Sequence, residues 1–131
     1  MREVKFRAWS KSSERFHEWK DIQHLHIHTV FNMCSDTLVI EQYTGLKDCD
    51  GVEIYEGDIV RSEHFIDLDG EQHYVRHTCE WSNKYSGWYF RNNAESFDGD
   101  GGLQAFVMMK FLNARKIKII GNIHQNPELI K

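Results

Sequence analysis

The chain has 131 residues, 40% of them hydrophobic and 13% aromatic, and a formal net charge of −4. That length makes one domain or two small lobes sharing a core, and the apolar fraction fills such a core, which excludes disorder throughout. No apolar run approaches the roughly 18 residues of a membrane span; the opening residues lack the continuous apolar stretch of a secretion signal.

Taken in chain order, Val4, Phe6 and Ala8 alternate with Lys5 and Arg7, so Val4–Trp9 reads as a strand with its charges on the face opposite its apolar residues. The polar stretch Ser10–Arg15 is a turn, after which Phe16 and Trp19 re-enter the structure. Leu25 and Ile27 alternate with His24, His26 and His28 at strand spacing, and the short β-branched run Leu38-Val39-Ile40 suits a strand better than a helix. Asp48-Cys49-Asp50-Gly51 predicts a tight turn between two strands, because Asp can accept its own backbone N–H groups and Gly tolerates positive φ. Glu56-Gly57-Asp58 predicts a second corner, from which Ile59-Val60 starts a new strand. Further strands are expected around Tyr74–Trp81, Trp88–Phe90 and Lys118–Ile123, and a helix over Leu103–Ala114, although Phe106–Met109 could equally be a buried strand. Asn126-Pro127-Glu128 carries the signal of a short helical start, a capping residue followed by proline. The expected class is therefore mainly β, with at most one or two short helices. Gly45, Gly57 and Gly121 sit at strand edges or corners, where glycine serves the backbone.

Three blocks of this chain together resemble the YopX family. They are the opening Met1-Arg2-Glu3-Val4-Lys5-Phe6-Arg7-Ala8-Trp9, the middle Gln42-Tyr43-Thr44-Gly45-Leu46-Lys47-Asp48 through Ile54-Tyr55-Glu56-Gly57-Asp58-Ile59-Val60, and the ending Ile120-Gly121-Asn122-Ile123-His124-Gln125-Asn126-Pro127-Glu128-Leu129. They occur in family order and span the chain, with residues 10–37 and 61–116 matching loosely. The resemblance implies a small β-rich protein of phages and prophages, with an SH3-like barrel portion beginning near Glu56–Val60. It also implies a single domain, divisible into lobes 1–55 and 56–131. It brings no catalytic residue and no cofactor. His124 stands where the family commonly has tyrosine.

Several constellations carry chemistry on paper. His24, His26 and His28 would share one face of a strand at about 6–7 Å intervals. Zinc needs nitrogens near 2 Å from the metal, which a flat row supplies poorly, and a fourth ligand such as Cys34 or Asp36 would have to fold back. A solvated polar face is the simpler reading, and no metal site is assigned. Asp98-Gly99-Asp100-Gly101-Gly102 lacks the distal glutamate of a calcium loop and reads as a surface loop. His77 and Cys79 share a face on a strand, as a buried free thiol and its neighbour would. Cys34, Cys49 and Cys79 form no CxxC pair, which fits a reducing cytoplasm better than a disulfide framework. Trp81, Tyr85, Trp88, Tyr89 and Arg91 form an aromatic and basic hairpin, with Arg76 and Lys84 nearby. At period two these aromatics cannot all point inward, so Trp81 with Tyr89, or Trp88 with Phe90, should remain available for binding.

Charge is segregated: +3 over residues 1–20, −11 over 21–104 and +4 over 105–131. Basic ends can fold against the acidic middle, or the acidic middle can meet a basic partner. The leading expectation is a cytoplasmic, non-enzymatic module binding a host or phage protein through the looser stretches 10–37 and 61–116. A nucleic-acid-binding barrel using the 81–91 hairpin comes second, and a metal-dependent hydrolase on the three histidines third. Self-association is compatible with all three.

Overall fold

The computed structural model describes residues 3–26, 28, 37–66, 68–84, 86–92 and 117–130. The expected helix over Leu103–Ala114, the loop Asp98–Gly102, Tyr85, Cys34 and Asp36 lie outside them.

Alternating apolar and polar residues, cut by glycine corners, produce two antiparallel four-stranded sheets. β1 (Phe6–Ser10), β2 (Arg15–His17), β3 (Leu38–Lys47) and β4 (Glu53–Tyr55) form the first, in the order β2-β1-β3-β4. β5 (Asp58–Ile66), β6 (Gln72–Ser82), β7 (Gly87–Asn92) and β8 (Ile117–Asn122) form the second, in the order β7-β6-β5-β8. α1 (Trp19–Ile22) is a single turn packed on β1 through Trp19, whose ring lies 6.0 Å from that of Phe6. A 3-10 turn, Pro127–Ile130, closes the described chain. The protein is thus mostly β, and its second sheet curls into a half-barrel. No helix among the described residues is long and apolar enough to cross a membrane.

The chain passes from one sheet to the other at Glu56-Gly57. There Gly57 has φ +81°, and a Cβ on it would lie 2.5 Å from Glu41 Oε1. A side chain at this corner would be strained by the backbone and crowded by its neighbour. At Gly121, crowding alone excludes a side chain, since a Cβ would meet Asn126 Oδ1 at 2.6 Å. Gly45 is the converse, with φ +88° and open space around it.

The β3–β4 hairpin covers the open side of the half-barrel. Its Ile54 joins Val60, Cys79, Phe90 and Ile117 in the core, with Leu46, Trp88 and Ile119 packed against them. The turn joining β3 to β4 does more than reverse the chain. Asp48 Oδ1 accepts the N–H groups of Asp50 and Val52, both at 2.9 Å, while Oδ2 accepts that of Ile119 on β8 at 3.1 Å. Cys49 N–H also reaches the carbonyl of Ile117 at 2.9 Å. The aspartate fixes its own turn and fastens it to the far edge of the second sheet. Asp48→Ala removes the acceptor of three backbone donors at once and is expected to cost about 2 kcal/mol or more. A urea midpoint unchanged from wild type would contradict this.

Two sequence expectations need correction. His24 and His26 lie on the turn following α1 rather than on a strand: Gln23 stays in the α region and Leu25 N–H bonds the carbonyl of Ile22 at 3.0 Å. The local helical turn beginning at Trp19 overrides an alternation only a few residues long. His24, His26 and His28 are all exposed, and among the described residues no three His, Cys, Asp or Glu side chains converge as metal ligands would. Second, Asn126 does not use its side chain to cap the 3-10 turn. Its Oδ1 accepts the N–H of Asn122 at 3.3 Å instead.

Candidate binding cleft and the charged junction beside it

Where the two sheets meet, all three matching blocks of sequence deliver polar side chains to one buried point. Arg7 on β1 donates from Nε to Glu41 Oε2 at 2.8 Å and from its terminal nitrogen to Asp58 Oδ1 at 2.6 Å. Its planar fork suits two carboxylates, which a lysine would meet only as a point charge. The guanidinium lies between the rings of Phe16 (4.2 Å) and Tyr55 (4.6 Å). Asn122 Nδ2 donates to Asp58 Oδ1 at 3.3 Å, and Asp58 Oδ2 accepts the N–H of Tyr55 at 2.8 Å. His124 stacks on Trp9, with centroids 5.3 Å apart and planes 9° from parallel. Its Nε2 lies 2.9 Å from Glu41 Oε1, yet neither atom has an aligned hydrogen-bond partner.

One guanidinium faces two carboxylates that are 2% and 3% exposed. The three side chains therefore carry one more negative than positive charge when all are ionised. Burial pushes the Glu41 carboxyl up to about 7, against the pull of Arg7 and with Asp58 adding to the rise. Burial, with Arg7 and Lys11 nearby, holds His124 below its ordinary 6.5. The 2.9 Å contact by itself would act the other way on both groups, but burial of both and the cation beside the imidazole outweigh it. A carboxyl of raised pKa beside an imidazole also resembles a general acid–base pair. Here the carboxyl is 2% exposed and the ring is stacked on Trp9, so the arrangement serves the junction.

The sign of the pH effect follows. Glu41 is raised from 4.5 to about 7, so its contribution to stability is full below 4.5 and is lost as pH rises through 7. His124 acts oppositely: its lowered pKa contributes stability that is present above 6.5 and lost on acidification. Because Glu41→Gln keeps His124 and fixes the other group neutral, its melting temperature should rise relative to wild type as pH goes from 4.5 to 7. A constant difference across that range would refute the protonation assigned to Glu41.

A different kind of surface lies at the end of the β6–β7 hairpin. Val4, Gln42, Glu56, Trp81 and Trp88 line an open cleft of about 500 Å³. Trp81 pairs with Trp88 across the hairpin, and their rings meet edge to face at 5.1 Å and 76°. Trp81 is 41% exposed and Val4 50%. The indole N–H of Trp88 is buried with no acceptor among the described residues. Burial raises the pKa of Glu56, the backbone N–H of Gln42 opposes that rise, and the nearby Glu80 adds to it.

The register separates the residues singled out in the sequence. Trp81 pairs with Trp88 and Cys79 with Phe90, so all four share the core-facing side. Tyr89 pairs with Glu80 and Arg91 with Thr78, which places Tyr89 and Arg91 on the other side. The expected grouping of Trp81 with Tyr89, and of Trp88 with Phe90 as the opposite set, is corrected accordingly. Tyr89 donates to Glu80 at 2.6 Å, and Arg91 pairs with the same carboxylate at 3.1 Å. Burial and Glu80 push the Tyr89 hydroxyl up to about 12. Arg91 is therefore partnered within the hairpin. Buried Cys79 has its thiol pushed well up by burial, which removes thiolate chemistry. Sequence reading found Trp81 and Trp88 but missed Val4, Gln42 and Glu56, which the fold brings to them from the first sheet and the corner.

A crystal structure of protein EF1440 from Enterococcus faecalis is similar in fold, with a TM-score of 0.64 and 24% identity over 100% of both chains. No curated protein matches. The model of the YopX family, described as YopX protein, matches residues 5–131. The chain belongs to the YopX family.

Proposed function

We propose that the protein is a non-enzymatic binding module of phage or prophage origin. It acts in the bacterial cytoplasm on a host or phage macromolecule, and the Trp81–Trp88 cleft is its contact surface. The observation that carries this reading is Trp81, a large aromatic left 41% exposed at the mouth of a cleft whose inner wall is the core-packed Trp88. Exposed aromatics over such clefts are where interfaces concentrate binding energy. The curled second sheet suits an SH3-like barrel as the scaffold. A nucleic-acid role is less favoured, because Glu56 lines the cleft and Arg91, on the other face of the hairpin, is already paired. Phosphates would meet repulsion there rather than the cations they require.

A photocrosslinking residue at position 81 should capture a macromolecule in producing cells, and the same residue at Leu68 should not. Leu68 is fully exposed but remote from the cleft lining. Equal capture from both positions, or none from position 81, would remove the reading.

A further inference from the structure

The cleft presents two chemical demands at once. Its aromatic pair offers ring faces and edges at a partly open site. Glu56 contributes a half-buried carboxylate that has no cationic partner among the described residues' hydrogen bonds and ion pairs. An aromatic face beside a carboxylate favours a cation, since ring quadrupole and charge attract it together. Nucleic acid meets only the first: its bases would satisfy the rings, but its phosphates would approach Glu56. An aliphatic partner would leave the carboxylate unmatched.

We infer that the cleft takes a basic peptide segment, with a lysine or arginine side chain lodged between Trp81 and Glu56. Val4, half exposed on the opposite wall, covers the apolar stem of that side chain. This inference rests on the cleft being the binding surface proposed above, and it adds the class of partner.

The test is selection from a randomised displayed peptide library on the intact protein, with counter-selection on Trp81→Ala. Enriched peptides should share a lysine or arginine at one position. Their synthetic forms should shift tryptophan emission, and Glu56→Gln should weaken them about tenfold, as loss of one partner of a partly desolvated charge pair does. Glu56→Gln keeps the acceptor for the Gln42 N–H and removes a charge that burial disfavours, so its melting temperature should not fall below that of wild type. Enriched peptides without a basic residue, or basic ones indifferent to Glu56→Gln, would overturn the peptide class while leaving the cleft a binding site. Failure to enrich anything over Trp81→Ala would overturn both. A labelled single-stranded oligonucleotide that binds more tightly than every selected peptide, and loses binding in Trp81→Ala, would assign the cleft to nucleic acid instead.

Discussion

Replacing Arg7 by alanine should destabilise the protein by about 3–5 kcal/mol, the range for removing one partner of a buried ion pair. Native domains hold only about 5–15 kcal/mol in total, so the loss is severe. It strands Glu41 and Asp58, which are 2% and 3% exposed, and takes the cation from between Phe16 and Tyr55. It also unfastens the first sheet from the second, because Arg7 belongs to β1, Glu41 to β3 and Asp58 to the start of β5. Glu41→Gln and Asp58→Asn, combined with Arg7→Ala, should recover part of the loss by neutralising the orphaned carboxylates. Residues sharing one network are non-additive in this way. Urea unfolding of the single and triple variants measures it; losses that simply sum would show that the three side chains do not act as a unit.

Phe90→Ala should cost about 3–5 kcal/mol, as large-to-small changes of a buried aromatic do. Phe90 is 0% exposed and packs with Ile54, Val60, Cys79 and Ile117, so the deletion opens a cavity between the half-barrel and the β3–β4 hairpin. Two residues earlier on the same face, Trp88 packs against that core, and its cross-strand partner Trp81 emerges at the cleft. Truncation at Trp81 should therefore change stability far less than at Phe90. Chemical denaturation distinguishes the two, and equal losses would place Trp81 in the core rather than at a binding surface.

Strands and corners were readable in the sequence because they depend on neighbours. The Asp48–Gly51 turn and the Gly57 corner follow from side chains and backbone freedom within a few residues. The charged junction was not readable. Alternation places Arg7 opposite Phe6 and Ala8, but it does not say that the second sheet will cover that face, with a partner 51 positions away at Asp58. Glu41, directly after Leu38-Val39-Ile40 and close to Tyr43, is the one hint: a carboxylate interrupting an apolar strand needs a partner. The division of the aromatic hairpin depends on register, fixed by a loop that sets Ser82 opposite Gly87 and holds Ser86 at φ +50°. A slip of one residue would exchange the faces, and period two alone does not choose between them. The His24, His26 and His28 pattern failed for a related reason, being too short to outweigh one helical turn.

Separation of roles is the central claim: the junction of Arg7, Glu41 and Asp58 holds the fold, and the Trp81 cleft meets the partner. The decisive measurement is recovery of the macromolecule that accompanies the intact protein from producing cells, compared between wild type and Trp81→Ala at a temperature where both are folded. Trp81→Ala should lose that macromolecule while its melting temperature stays close to that of wild type. Full recovery with Trp81→Ala, and loss only in variants that melt earlier, would contradict the assignment of the cleft.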